Sequence, residues 1–185
     1  MTCIVGWTNG KNVWMGCDSA GVGGGYDLSI RSDKKIFIRD EMIYGFTSSF
    51  RMGQILRSCF SRPEQSSKKD DYDYLCSDYI DALIDCMKKK GFAKIDDGVV
   101  EGGTFLLGYK GNLYIIESDF QVGKVYLPFN SIGCGSKYAL GYMWSYRDFN
   151  QSFTKDSVEG ILDSALLCSE QLSAGVRGPF HFLKL

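Results

Sequence analysis

The sequence predicts an α+β protein built from two stacked antiparallel sheets with helices on their outer faces. Strand-like and helical patterns come in blocks, in the order strands, two helices, strands, two helices, strand; an alternating parallel-sheet fold would interleave them singly. Short hairpin signals also join successive strand-like runs, and only antiparallel neighbours can use them. With 185 residues, 44% of them apolar and 14% aromatic, the chain is read as one domain over residues 1–185 with ample material for a core.

The first two strands are CIVGW at 3–7 and NVWMGC at 12–17, flanking Asn9-Gly10, the strongest short hairpin signal. A loop of Asn9-Gly10 alone sets Thr2 opposite Cys17 with Asp18 one step beyond; a loop that takes in Lys11 sets Thr2 opposite Asp18. Either register brings Asp18 close to the start of the chain. After the glycine-rich loop GVGGGYD, KKIFI at 34–38 and MIYGF at 42–46 pair about Arg39-Asp40-Glu41 and bring the sheet to four strands. SSFRMGQILRSCF at 48–60 reads as a serine-capped helix, ended by the polar linker RPEQSSKKDD with Pro63. DYLCSDYIDALIDCMKKK at 73–90 sets Leu75, Tyr79, Leu83 and Cys86 at helical spacing, with acids early and lysines late as the macrodipole favours. GTFLLGY and LYIIES form a hairpin about Lys110-Gly111-Asn112, and the shorter strand-like run KVYLPF follows. SKYALGYMWSYR and KDSVEGILDSALLCSEQL are two further helices, and PFHFL closes as a strand.

Composition narrows the partners. Twenty-one basic and 22 acidic residues nearly cancel, so no global field draws the chain to nucleic acid or an anionic membrane. No apolar run approaches the roughly 20 residues of a membrane span, and the first residues lack a signal peptide's basic start and apolar core. The expected compartment is the cytoplasm. Cys3, Cys17, Cys59, Cys76, Cys86, Cys134 and Cys168 are odd in number and without CxxC pairs, a pattern of reduced thiols rather than disulfides or zinc.

Catalytic chemistry can be sorted by elimination. A serine or cysteine triad ordinarily needs a histidine base, and the single histidine, His181, sits in the apolar run PFHFL, where it reads as a strand residue. GxSxG and HExxH are absent, and neither GVGGG nor IGCGSKY matches GxxxxGK[ST]. An N-terminal threonine needs no histidine, because its own α-amine, with an ordinary pKa of about 7.7–8.0, can take the hydroxyl proton. Thr2 is small enough for methionine aminopeptidase to remove Met1 and leave that amine free. A lysine nearby would hold the amine's pKa down, and an aspartate would orient the lysine.

The threonine start, GCDSAG, KKI, GFTSS and IGCGSKYALGYM occur in the order of the corresponding motifs of the proteasome β-subunit and HslV group of N-terminal nucleophile hydrolases, which the chain resembles over most of its length. The resemblance implies a four-layer αββα sandwich, with Thr2 as nucleophile, Asp18 as the lysine's partner and Lys35 as the lysine. Ungapped spacing from Thr2 selects Lys34 instead, and the KKI motif favours its second lysine. Ser48 in GFTSS stands where the family offers a glycine N–H to an oxyanion. Cys134 stands for the serine beside the terminal amine, and Glu170 and Ser173 in SEQLSAG for the family's aspartate and serine. The implied activity is threonine-type peptidase chemistry on peptide or unfolded protein, without metal or organic cofactor. A homo-oligomer, a ring in the relatives, is implied too, with an ATP-dependent unfoldase as candidate partner; similar short proteins occur in bacteria and their phages. Two other classes fit the same motifs: a noncatalytic assembly protein that retains Met1, and an amidase acting on small molecules.

Overall fold

The computed structural model describes residues 1–24, 27–96, 99–149 and 155–185. Strand β1 (Cys3–Thr8) pairs antiparallel with β2 (Val13–Cys17), Thr8 facing Val13 and Ile4 facing Cys17. That register differs from both sequence alternatives, because the loop holds four residues, Asn9 to Asn12. Local side-chain bonds explain the extra length: Asn9 Oδ1 accepts from the N–H groups of Lys11 and Asn12, and Thr8 Oγ1 accepts from Gly10 N–H. An Asx turn therefore replaces the two-residue hairpin turn.

The glycine-rich stretch is only partly loop. Strands β3 (Ala20–Val22) and β4 (Leu28–Ile30) form a two-stranded ribbon, and Gly25 and Tyr26 of the expected loop lie outside the described residues. Strand β5 (Ile36–Arg39) pairs with β6 (Met42–Phe46) about Asp40 and Glu41, both at positive φ (50° and 59°), as a two-residue hairpin turn requires. Contrary to the sequence expectation, this hairpin does not extend the β1–β2 sheet. Helix α1 (Phe50–Ser58) starts at the cap Ser49, whose side chain accepts from the N–H groups of Arg51 and Met52. The next helical segment is continuous but not uniform: α2 (Asp71–Tyr74), a π-helical turn at Leu75–Tyr79, then α3 (Ile80–Lys89). A small ribbon, β7 (Lys94–Asp96) with β8 (Val99–Glu101), precedes the hairpin of β9 (Phe105–Tyr109) and β10 (Asn112–Ile116). KVYLPF is mostly connection: β11 (Val122–Lys124) ends within it and β12 (Phe129–Gly133) begins at its last residue. Helices α4 (Ser136–Phe149) and α5 (Lys155–Leu172) and strand β13 (His181–Lys184) complete the chain.

One sheet runs β12-β1-β2-β13 and the other β11-β10-β9-β6-β5. Alternation along each strand builds three cores. From β1, Cys3, Val5 and Trp7 meet Leu162, Ala165 and Leu166 of α5, whereas Ile4 points to the other sheet and meets Ile36, Ile43 and Leu106. From β6, Met42, Tyr44 and Phe46 pack outward on Ile55, Tyr79 and Leu83 of the first helices. The molecule is thus the αββα sandwich. No helix among the described residues is long and apolar enough to cross a membrane.

Candidate active site

Thr2 immediately precedes β1 and is only 4% exposed. Its N–H donates to Cys134 Sγ (3.3 Å), and its carbonyl oxygen accepts from Gly135 N–H (3.4 Å) and Cys134 Sγ (3.4 Å). Gly133 makes that approach: at φ +97°, a Cβ there would stand 2.2 Å from Thr2 O. With the Met1–Thr2 peptide bond intact, the Thr2 nitrogen is an amide and not a base, and Thr2 Oγ1 donates to Met1 O at 2.5 Å.

The β1–β2 register sets Asp18 beside Cys3, one residue from Thr2. Asp18 N–H donates to Cys3 O (3.3 Å), and Cys3 N–H returns a bond to Asp18 Oδ1 (2.9 Å). The same Oδ1 takes Lys35 Nζ at 2.7 Å, while Oδ2 accepts from Ala20 N–H (2.9 Å) and Arg177 N–H (3.4 Å). Both charged side chains are buried. The carboxylate is sustained by these backbone N–H bonds, and the ammonium by the carboxylate and by the Phe50 ring, whose centroid is 5.8 Å away. Of the two lysines in KKI, Lys35 is therefore the one that meets Asp18; Lys34 is exposed on the sheet edge. Burial pushes the thiols of Cys3 and Cys17, on either side of Asp18, up to about 11, so they stay neutral at physiological pH.

Across from Thr2, β6 runs into α1 through Thr47 and Ser48. Ser49 N–H bonds back to Thr47 O (2.8 Å), closing a three-residue turn on Ser48, which sits at φ 71°. Ser48 Oγ accepts from Thr104 N–H (3.4 Å). Thr2, Ser48, Phe46, Phe50, Val22 and Met1 line one cleft of about 70 Å³. The cleft reaches the start of α1, where the Ser49 cap already takes the N–H groups of Arg51 and Met52, so what this end of the helix adds to the cleft is the positive end of its dipole.

Ser173 Oγ reaches Cys134 Sγ at 3.5 Å, so Ser173, Cys134 and Thr2 form one chain of contacts. Glu170 is engaged elsewhere, its Oε1 accepting from Gly178 N–H (2.8 Å) beyond α5. Arg177 was not among the residues singled out in the sequence. Its Nη1 donates to the carbonyls of Glu170 (3.1 Å), Ser173 (3.4 Å) and Val176 (2.6 Å). The available signal was a cation shortly after a helix whose last turn holds no basic residue. The structure thus joins Thr2 to Cys134 and Ser173, joins Asp18 to Lys35, sets Ser48 across the cleft and leaves Glu170 bracing a turn.

No family model and no curated protein sequence matches the chain. Among solved structures, BPH of Thiobacillus denitrificans in complex with epoxomicin aligns with a TM-score of 0.78 at 14% identity, covering 100% of this chain and 98% of that one. BPH of the same organism in a second structure gives 0.77 at 16% identity, covering 100% and 97%. Eukaryotic HslV from Trypanosoma brucei gives 0.68 at 15% identity, covering 100% and 99%. The chain has the fold of these proteins from end to end.

Proposed function

We propose that this protein is a threonine-type peptidase that hydrolyses amide bonds through an acyl ester on Thr2 after loss of Met1. The observation that supports it most directly is Asp18 Oδ1, shared between Lys35 Nζ and the N–H of the residue next to Thr2. Once Met1 is gone, the Thr2 nitrogen is a free α-amine and can act as a base. Oγ1 then attacks the substrate carbonyl carbon and its proton passes to that amine. The tetrahedral oxyanion is held by the backbone N–H at Ser48 and favoured by the positive end of the α1 dipole. Collapse returns the proton to the departing amine and leaves the ester, which water hydrolyses by the same path in reverse. Lys35, fixed by Asp18, supplies positive charge that favours the alkoxide; Cys134 and Ser173 hold the amine. No step calls on a metal or organic cofactor. The substrate is taken to be peptide or unfolded protein in the cytoplasm, and the working form a homo-oligomer served by an ATP-dependent unfoldase.

BPH was solved with epoxomicin, an epoxyketone, which makes that compound the natural probe. The expected outcome is an intact mass lacking Met1 and a covalent adduct on Thr2 that is lost in Thr2→Ala. Quantitative retention of Met1 in the native assembly would reject the mechanism. A second reading, a noncatalytic assembly protein with Met1 in place, has one observation in its favour. Met1, though 47% exposed, lies against Gly175, where a Cβ would fall 2.3 Å from Met1 Cβ and 2.6 Å from its Sδ.

A further inference from the structure

We propose that Arg177 is a positioning residue that fixes the turn after α5 against Asp18, and through Ser173 and Cys134 fixes the Thr2 nitrogen. The inference rests on the threonine-peptidase reading for its catalytic consequence, though not for the contacts themselves.

Helix α5 ends at Leu172 with no basic residue in its last turn, so its terminal carbonyls carry uncompensated partial negative charge. Arg177 answers this from beyond the helix. One guanidinium nitrogen, Nη1, donates its two N–H groups among three carbonyl oxygens, those of Glu170, Ser173 and Val176, gathering the last turn and the following chain around a single cation. The main chain of Arg177 faces the other way. Its N–H donates to Asp18 Oδ2 (3.4 Å), and its carbonyl accepts from Ser19 N–H (2.8 Å). Glu170 Oε1 reinforces the arrangement by taking Gly178 N–H.

What the turn carries explains why its position matters. Ser173 Oγ lies on Cys134 Sγ, which lies on the Thr2 nitrogen. Gly175 packs directly against Met1 and Cys134, where a Cβ would stand 2.8 Å from Cys134 Sγ. Arg177 is therefore the link between the two halves of the site: the Asp18–Lys35 pair on one side, and the Cys134–Ser173 contacts on the other. The guanidinium touches these halves only at the main-chain carbonyl of Ser173, so it acts through the backbone it holds.

Arg177→Ala is expected to slow covalent labelling of Thr2 by epoxomicin by roughly 10- to 100-fold, the scale of a misplacement of about 1 Å. It should also lower kcat more than it raises KM on a peptide substrate. Hydrogen exchange at the amides of residues 173–178 should speed up in this variant. Arg177→Lys, which keeps a cation among the carbonyls, and guanidinium ion added to Arg177→Ala at concentrations too low to denature, should each restore part of the labelling rate. A merely structural role would give no such rescue. If wild type and Arg177→Ala label at the same rate, the positioning role is overturned. Should the wild type itself fail to label, the peptidase reading fails instead, and unchanged exchange at 173–178 in Arg177→Ala would then separately overturn the claim that Arg177 holds the turn. If Arg177→Ala does not fold, Arg177→Gln decides: slowed labelling with faster exchange at 173–178 in a folded protein supports the positioning role, and labelling at the wild-type rate overturns it.

Discussion

The Lys35–Asp18 pair is held in a place where neither charge can be left alone. Lys35 is 1% exposed and Asp18 0%, and the carboxylate's remaining acceptor sites are filled by Cys3, Ala20 and Arg177 N–H groups. Removing one partner therefore strands a buried ion, which costs about 3–5 kcal/mol. Lys35→Met should lower stability by that amount in urea unfolding, and adding Asp18→Asn should recover part of it, because no charge remains and the one amide oxygen can keep the Ala20 and Arg177 N–H bonds, while the amide NH2 is left facing Cys3 N–H. If the double variant is no more stable than Lys35→Met, Asp18 was not left uncompensated. His181 gives a test by pH. Burial, and secondarily the charge of Lys34, hold its imidazole below the ordinary value of 6.5. The fold thus favours the neutral ring: its stabilising contribution is complete above about 6.5 and is lost as pH falls through the lower folded-state value. The NMR titration of His181 should show a midpoint under 6.5 that rises in Lys34→Ala; a midpoint at or above 6.5 contradicts the assignment.

Among the elements, the turn from β6 into α1 carries opposed demands. Ser48 adopts the left-handed conformation at φ 71°, which costs an L-residue about 1–2 kcal/mol relative to glycine's freedom, against a long bond from Thr104 N–H at 3.4 Å. Ser48→Gly should raise stability by about 1 kcal/mol in urea unfolding while leaving the epoxomicin labelling rate unchanged, since the backbone N–H is kept. A loss of stability would show that the Thr104 bond outweighs the strain. Ser49→Ala should cost about 1 kcal/mol through the lost cap. These local features were legible in the sequence because their causes are local: the cap serine precedes an apolar period, and Lys110-Gly111 turns its hairpin at φ 46° and 74°. The misjudged features have causes several residues away or compete with a local signal. Asn9 and Thr8 lengthen the first loop by bonding their own backbone, and the π turn at Leu75–Tyr79 leaves the apolar face of its helix intact, with Leu75, Tyr79 and Leu83 all buried.

At the scale of the molecule, the candidate site is a product of two sheets meeting. Thr2 and Asp18 stand at the ends of β1 and β2 in one sheet, and Lys35 and Ser48 at the ends of β5 and β6 in the other. The sequence reading placed the second hairpin in the wrong sheet, since apolar strand runs look alike wherever they pair. What the sheets share is their spacing, and Gly45 sits at a close approach. It faces Ile36 across β5, and a Cβ there would fall 2.5 Å from Ile4 Cγ2 and 3.2 Å from Met15 Sδ. Ile4 follows Thr2 by two residues and Ile36 follows Lys35 by one, so whatever separates Ile4 from Ile36 also separates Thr2 from Lys35. The Ile4 methyl that would be met is on a stiff β-branched side chain in a paired strand and cannot swing aside. Gly45→Ala should therefore cost about 1–3 kcal/mol by overpacking and slow Thr2 labelling in the same variant. Ile4→Ala, which removes the opposing methyl, should cost less in the Gly45→Ala background than alone, the non-additivity expected of atoms in contact. Additive losses would mean that the sheets part freely at this point, and a normal labelling rate in a destabilised Gly45→Ala protein would mean that the spacing of the sheets does not govern the site.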